Sequence, residues 1–366
     1  MAGTIMPSES DLITQATRLL ADRLGPGWRV RVPSSSWQAL AGDGLDAAIS
    51  IDAPDGTEAV QLVEAKQRVF PRDVRNWLTA VRPSSSGDRY LLVARYLGPR
   101  ARDLLDKAGV NYIDLTGNML VRIDTPSLFI RERGSDKDPA PVGGPARSLR
   151  GAKAARVVRT LCDFKGAITS RSVAVAAGVT PSYVSKIVAL LEREALVERQ
   201  GRGPVQPITR VLWADLIRRW SDDYRLLDTN APRLFLAPRG LPDFLRDLTA
   251  WAGETPDGRY ALTGSFAAAK RAPVAPPSLL FCYVDAPSAV AEQTGLVRAS
   301  GSGNVYLCEP FDPVVYERTW SDDGMTYAAL AQVAADCLGG PDRMPAEGDA
   351  LLEWMAANEQ AWRLDA

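Results

Sequence analysis

Glu64 and Lys66 stand two residues apart in QLVEAKQRV (61–69), an apolar run that reads as a β-strand. Side chains two apart on a strand share a face, so a carboxylate and an ammonium leave the sheet side by side. A second acid, Asp46, starts the preceding strand, and the intervening turn, DAPDGTE, carries the Asp-Gly pair typical of hairpins. Folding that hairpin carries Asp46 toward Glu64. Two acids beside a lysine can hold a hard divalent metal through oxygen, polarise a phosphate and activate a water. The bland alternative is a solvated ion network worth at most about 1 kcal/mol. The 366 residues include no histidine, which excludes Ser-His-Asp and Cys-His hydrolases and histidine–zinc sites. Catalysis here has to use carboxylates, Lys, Tyr or an oxygen-held metal.

A second concentration of chemistry is electrostatic. The chain has a net charge of −1, but residues 139–210 hold 12 Lys+Arg against 4 Asp+Glu, whereas residues 211–366 hold 13 against 22. A basic segment of that size inside a neutral chain is where a nucleic acid would be met. It contains SVAVAAGVTPSYVSKIVALLEREALVERQGRG, in which Ala174 allows close helix packing, Gly178 supplies a tight turn, and Val184, Ile187, Leu190 and Leu191 form an apolar face.

The elements that position these groups follow from periodicity and punctuation. Ser8 to Leu24 reads as an amphipathic helix with an N-cap serine and early acids. WRVRV, LDAAISI and AVQLVEAKQRV read as strands, PRDVRNWLTAV as a helix and DRYLLVARYL as a buried strand. A further helix precedes NYIDLTGNMLVRI, a pair of strands. The expected organisation is multidomain α/β (α+β): a domain at 1–133, a Gly/Pro/Ser-rich linker at 134–150, three helices and a hairpin at 151–210, and an acidic α/β region at 211–366. Cys162, Cys282, Cys308 and Cys337 form no C-x-x-C, which suggests unpaired thiols in a reducing cytoplasm. No run approaches the ~18–20 apolar residues of a membrane span, and arginine-rich basic composition suggests a high-GC bacterial source.

The order helix, three strands, helix, strand, with Asp46 and then Glu64-Ala65-Lys66, resembles the PD-(D/E)xK nuclease superfamily over about residues 8–133. Leu45 stands where that family has a proline. The resemblance implies a restriction-endonuclease-like domain in which Asp46, Glu64 and the Ala65 carbonyl hold Mg²⁺ and Lys66 orients the attacking water.

Residues 151–210 resemble a winged helix-turn-helix. That implies major-groove contact by Thr180, Ser182, Tyr183, Ser185 and Lys186 at the exposed end of the third helix. A wing of strands 196–200 and 204–208 would carry Arg199 on its side and Arg202 at its tip, and Arg147, Arg150, Lys153 and Arg156 extend the basic surface. Residues 260–287 look like a degenerate nucleotidyltransferase core: Gly264-Ser265 leads into a helix, and Asp285 is alone on the next strand, with Tyr283 where its partner acid would be. Glu309 and Asp312 are the other acids within reach by sequence. Together, 151–366 is similar to antitoxins of AbiE-type type IV toxin–antitoxin systems, which act as DNA-binding autorepressors.

The expected function is a double-stranded DNA-binding transcriptional regulator. The alternatives are an Mg²⁺-dependent defence nuclease aimed by the winged helix and an antitoxin that sequesters a protein toxin. The expected partners are DNA, a second copy of the chain and a protein at the C-terminal region, with no membrane. An acidic C-terminal region that masks the basic segment would make truncation near Arg210 raise DNA affinity.

Overall fold

The computed structural model describes residues 8–33, 45–81, 89–139, 148–201, 206–256 and 258–365. The chain forms two compact units, Met1–Gly144 with Arg193–Ala195 and Pro145–Glu192 with Leu196–Ala366. Both are mixed α/β.

In the first unit, α1 (Glu9–Ala21) starts with a capping box: the Asp11 N–H donates to Ser8 Oγ at 3.1 Å and the Ser8 N–H donates to the Asp11 carboxylate at 2.8 Å. Leu12, Ile13, Ala16 and Leu20, at helical spacing, bury one stripe of it against the sheet. Strands β1 (Arg29–Arg31), β2 (Ala47–Asp52) and β3 (Glu58–Lys66) pair antiparallel. The β2–β3 turn places Gly56 at φ +87°, a conformation that costs glycine least.

Helix α2 (Pro71–Val81) then carries the chain to β4 (Tyr90–Ala94), parallel to β3. Next come α3 (Pro99–Lys107), β5 (Asn111–Asp114), β6 (Met119–Ile123) and β7 (Leu128–Glu132), giving a sheet in the order β1 to β7. The expected helix, three strands, helix, strand is present. Strands β2 to β5 are buried nearly throughout because α1 packs on one face and α2 and α3 on the other. Lys66 therefore ends a central strand, at the rim between the two layers.

Residues 134–138, the start of the linker in the sequence reading, are held on this unit. The Gly134 N–H donates to Asn118 Oδ1 at 2.9 Å, the Tyr96 hydroxyl donates to the Asp136 carbonyl at 2.6 Å, and Arg95 grips both Asp138 oxygens at 2.9 and 3.0 Å. A Cβ on Gly134 would fall 2.0 Å from the Thr116 carbonyl oxygen, so only glycine fits there.

The second unit opens with α4 (Ala152–Asp163), β8 (Phe164–Lys165), α5 (Ser170–Ala176) and α6 (Pro181–Arg193). These match the expected helices to within about a residue at each end. Gly178 makes the α5–α6 turn at φ +59°. The hairpin after α6 pairs β9 (Val197–Arg199) with β10 (Ile208–Val211). The described part of the second strand begins at Ile208, residues 204 and 205 of the expected wing strand lying outside the described residues, and the Ile208 N–H donates to the Ile168 carbonyl at 2.8 Å.

After α7 (Trp213–Ser221) and the short α8 (Leu226–Thr229), the chain alternates: β11 (Ala231–Leu236), α9 (Leu241–Glu254), β12 (Tyr260–Thr263), α10 (Gly264–Ala269), β13 (Leu280–Val284), α11 (Pro287–Gln293), β14 (Val297–Arg298), β15 (Val305–Glu309), β16 (Trp320–Asp322) and β17 (Met325–Tyr327). These strands form one mixed sheet ordered β14-β11-β15-β13-β12-β17-β16. Helices α12 (Leu330–Leu338) and α13 (Met344–Ala357) follow, and β18 (Leu364–Asp365) pairs parallel with β8. Leu351, Leu352 and Met355 of α13 pack into the core. The four cysteines are buried free thiols. Among the described residues no single helix is long and apolar enough to cross a membrane.

One core runs through this unit, joining Leu161, Val184 and Leu191 of the three-helix segment to Leu216, Phe281 and Ala334 of the acidic region. Arg159 on α4, at 0% exposure, ties the two sequence segments together. It donates to the Val314 carbonyl at 3.3 Å, the Glu317 carbonyl at 2.9 Å and Gln332 Oε1 at 3.1 Å, and pairs with Asp163 at 3.2 Å.

Candidate functional site

Glu64 and Lys66 project from the same face of β3, and Lys66 Nζ lies 3.0 Å from Glu64 Oε1. Ala47 sits opposite Val63 in the antiparallel register, which sets Asp46 next to Glu64. The Asp46 N–H donates to the Val63 carbonyl at 2.9 Å, and its Oδ2 accepts the Ala65 N–H at 2.8 Å, so both ends of the residue are fixed by β3. Lys66 Nζ is 3.8 Å from that same Oδ2 and 3.9 Å from Glu9 Oε1. The structure thus brings together all three sequence-predicted residues and adds Glu9. Glu9 was read as an acid suited to the first turn of α1; its place beside Lys66 depends on how α1 crosses the sheet, which no local pattern encodes.

Glu64 is 7% exposed, and its Oε2 is buried with no hydrogen-bond partner. Burial pushes its carboxyl above the ordinary range; Lys66 pulls it down by less, and Asp46 and Glu9 push it further up. For Lys66, partial burial would lower the ammonium, but Glu64, Asp46 and Glu9 together outweigh it and hold the group above its usual value. The orphaned Glu64 oxygen and the Asp46 carboxylate are donors of the kind that hold Mg²⁺, which is commonly bound by one or two carboxylates completed by water and phosphate oxygens. Among the described residues no group of three or more Cys, Asp or Glu is placed to hold a metal ion. The fit is therefore to a cation that two carboxylates hold and substrate completes.

The second constellation lies on α6. Thr180, Ser182, Ser185 and Lys186 are exposed, while Val184, Ile187 and Val188 are buried; Tyr183 is half-buried and packs on the core. Arg193 lies over the Phe70 ring at 5.7 Å, and the other described cations of residues 139–210 divide into two sets. Arg156 grips both Asp312 oxygens at 2.9 and 2.7 Å, Arg159 is buried, Lys165 lies 3.4 Å from Asp365, Arg199 pairs with Glu192 at 2.5 Å, and Arg210 pairs with Glu198 at 3.2 Å. Lys153, Arg171 and Lys186 are exposed and make no ion pair among the described residues. Arg150, with a 77% exposed side chain, has only a 3.8 Å contact to Asp223. Arg147 and Arg202 lie outside the described residues. Arg171, on α5, was not singled out in sequence; its only signal there was the charge of the segment.

The polar side chains of the nucleotidyltransferase resemblance each have a partner within the chain, Tyr283, Ser265 and Asp312 buried and Asp285 and Glu309 at the surface. The Tyr283 hydroxyl donates to Asp336 at 2.8 Å, Ser265 Oγ donates to Glu347 at 2.5 Å, and Asp285 pairs with Arg259 at 2.8 Å. Glu309 lies 4.0 Å from Arg233, and Asp312 holds Arg156. Asp336, fully buried, also accepts from Tyr224 at 2.7 Å, Thr263 at 2.5 Å and Gln332 at 2.9 Å; burial raises it to about 6 against these hydrogen bonds.

No family model, curated protein or solved structure matches the chain. Its functional reading rests on these geometries.

Proposed function

We propose that the chain is a double-stranded DNA-binding protein, a regulator of transcription, that sets the N-terminal half of α6 in the major groove in the manner of a winged helix-turn-helix. The observation that carries this reading is the division of cations. Arg156, Lys165, Arg199 and Arg210 are engaged with carboxylates, while Lys186 on the Ser182–Ser185–Lys186 face, with Arg171 and Lys153, makes no ion pair among the described residues and stays free for phosphate and base edges. Hydroxyls at Thr180, Ser182 and Ser185 suit phosphate oxygens and mixed base contacts. The degenerate nucleotidyltransferase-like positions, paired internally, serve as scaffold. Binding of duplex DNA in EDTA, weakened by Lys186→Ala, tests the proposal; a wild-type chain that binds no duplex sinks it.

A second reading draws on the Lys66 cluster: a PD-(D/E)xK-like nuclease site aimed by the winged helix. Its support is the convergence of Glu64, Asp46 and Glu9 around one ammonium, with the second Glu64 oxygen buried and unpartnered. Asp46 and Glu64 would hold Mg²⁺, which when bound supplies polarisation of the scissile phosphate and a more acidic water. Lys66 would place the attacking water by hydrogen bond and offset negative charge as it forms. Plasmid and linear DNA incubated with Mg²⁺, Mn²⁺ or EDTA, beside Asp46→Ala, decides it. Metal-dependent cutting lost in the variant supports the nuclease; binding without cutting under every condition leaves the regulator alone.

A further inference from the structure

On the DNA-binding reading, Glu192 is an anomaly. No acid occurs between Asp163 and Glu192, so the whole of α5 and most of α6 is free of negative charge. Ser185, Ala189 and Glu192 follow each other at i, i+4 and i+7 along one stripe of α6, on the flank of the face that carries Lys186. A bare carboxylate there would stand within a Debye length of any backbone docked on that face and repel it.

Arg199, on β9, answers this charge. Its Nε and Nη2 each donate to one Glu192 oxygen, at 2.8 and 2.5 Å, a two-point fork that leaves neither carboxylate oxygen uncovered. The side chains are 32% and 21% exposed, and the Glu192 pairing holds the guanidinium above its usual value. Glu198, the acid of β9, is met across the hairpin by Arg210, whose Nη1 lies 3.2 Å from its Oε1. The fork commits the Nε–Nη2 edge of Arg199, two of the five guanidinium N–H donors, to Glu192.

We infer that Arg199 is a positioning residue that acts on DNA through Glu192: it neutralises the one carboxylate on the recognition helix and does not itself grip the backbone. The inference depends on the DNA-binding reading and specifies how its electrostatics are arranged.

The test uses the full chain in EDTA at low salt, on a duplex of about 25 base pairs, with wild type, Arg199→Ala, Glu192→Gln and the double variant, each checked for an unchanged melting temperature. Arg199→Ala should weaken binding about five-fold, as expected for one uncompensated charge near several phosphates. Glu192→Gln alone should bind at least as tightly as wild type, and the double variant should return to within about two-fold of it. A double variant as weak as Arg199→Ala overturns the inference, because a direct phosphate grip is not restored by removing the acid, and a rescue that tracks a restored melting temperature overturns it as well, because it marks a purely structural pair. An Arg199→Ala protein that binds as well as wild type overturns it too, with DNA binding intact. If wild type binds no duplex, the parent reading and this inference fall together.

Discussion

Lys66 at the end of β3 and Lys186 on α6 are both partly or fully exposed cations, yet their surroundings are opposite in kind. Lys66, with a 45% exposed side chain, has three carboxylates within 4.0 Å, one of them buried and incompletely hydrogen-bonded. Lys186 has no carboxylate partner among the described residues and sits among hydroxyls. The first environment concentrates negative charge around a point, as a site for a cation and a reacting phosphate requires. The second keeps positive charge open along a helix, as a polyanion surface requires. The contrast shows that charge composition alone does not identify a binding surface: in residues 139–210 several cations, exposed Arg199 and Arg210 among them, serve the protein's own acids.

The largest effect should come from crossing that division. Arg159→Ala leaves Asp163, Gln332 and two carbonyls without their buried partner, and should cost about 3–5 kcal/mol in urea denaturation. Lys186→Ala should change stability by no more than about 0.5 kcal/mol. Truncation at Arg210, which sequence suggested as a way to unmask DNA binding, instead removes every named partner of Arg159 but Asp163, and part of the shared core. It should give an unfolded fragment rather than a tighter binder.

The buried acids of the two units sharpen the same contrast. Asp336 is raised to about 6 from an unfolded value of 3.8, so the native state holds its proton more tightly, and wild-type stability falls as pH rises through that window. Asp336→Asn removes the titration, and the neighbouring hydroxyls can turn to serve an amide. Measured by denaturation, the stability of the variant relative to wild type should therefore rise by about 3 kcal/mol between pH 3.5 and 6.5 and stay level above it. Glu64 is raised by the same cause, with Lys66 offsetting part of it. Glu64→Gln should gain on wild type in the same direction with rising pH, by less, while abolishing any metal-dependent cleavage; a functional site commonly holds such a destabilising charge.

Much of this was legible in the residues. The Asp55-Gly56 turn, the i, i+2 spacing of Glu64 and Lys66, and the place of Asp46 at the head of the preceding strand were enough to assemble three members of the cluster, because each is fixed by local strand geometry. The three helices of the basic segment were equally readable from Gly178 and the apolar face of α6. What escaped was set by long-range packing. Glu9 reaches Lys66 only through the crossing of α1, and the Arg156–Asp312 and Lys165–Asp365 pairs join residues 156 and 200 positions apart. Arg199 carried the same sequence signal as Lys186, a cation in a basic segment, but its hairpin turns it back onto Glu192.

A smaller effect follows from the count of free cations. Among the described residues, Lys153, Arg171, Lys186 and Arg150 contribute about −4 to the dependence of log K on log salt, at about −0.9 per phosphate neutralised, and Lys186→Ala should reduce the slope by about 1.

The most direct test of the central claim compares duplex affinity, in EDTA and at fixed salt, for wild type, Lys186→Ala/Arg171→Ala and Arg210→Ala. The account predicts that wild type binds, that the double variant loses about ten-fold or more, and that Arg210→Ala, whose partner is Glu198, loses less than about two-fold. A wild type that does not bind, or a double variant that binds as tightly as wild type, would contradict it.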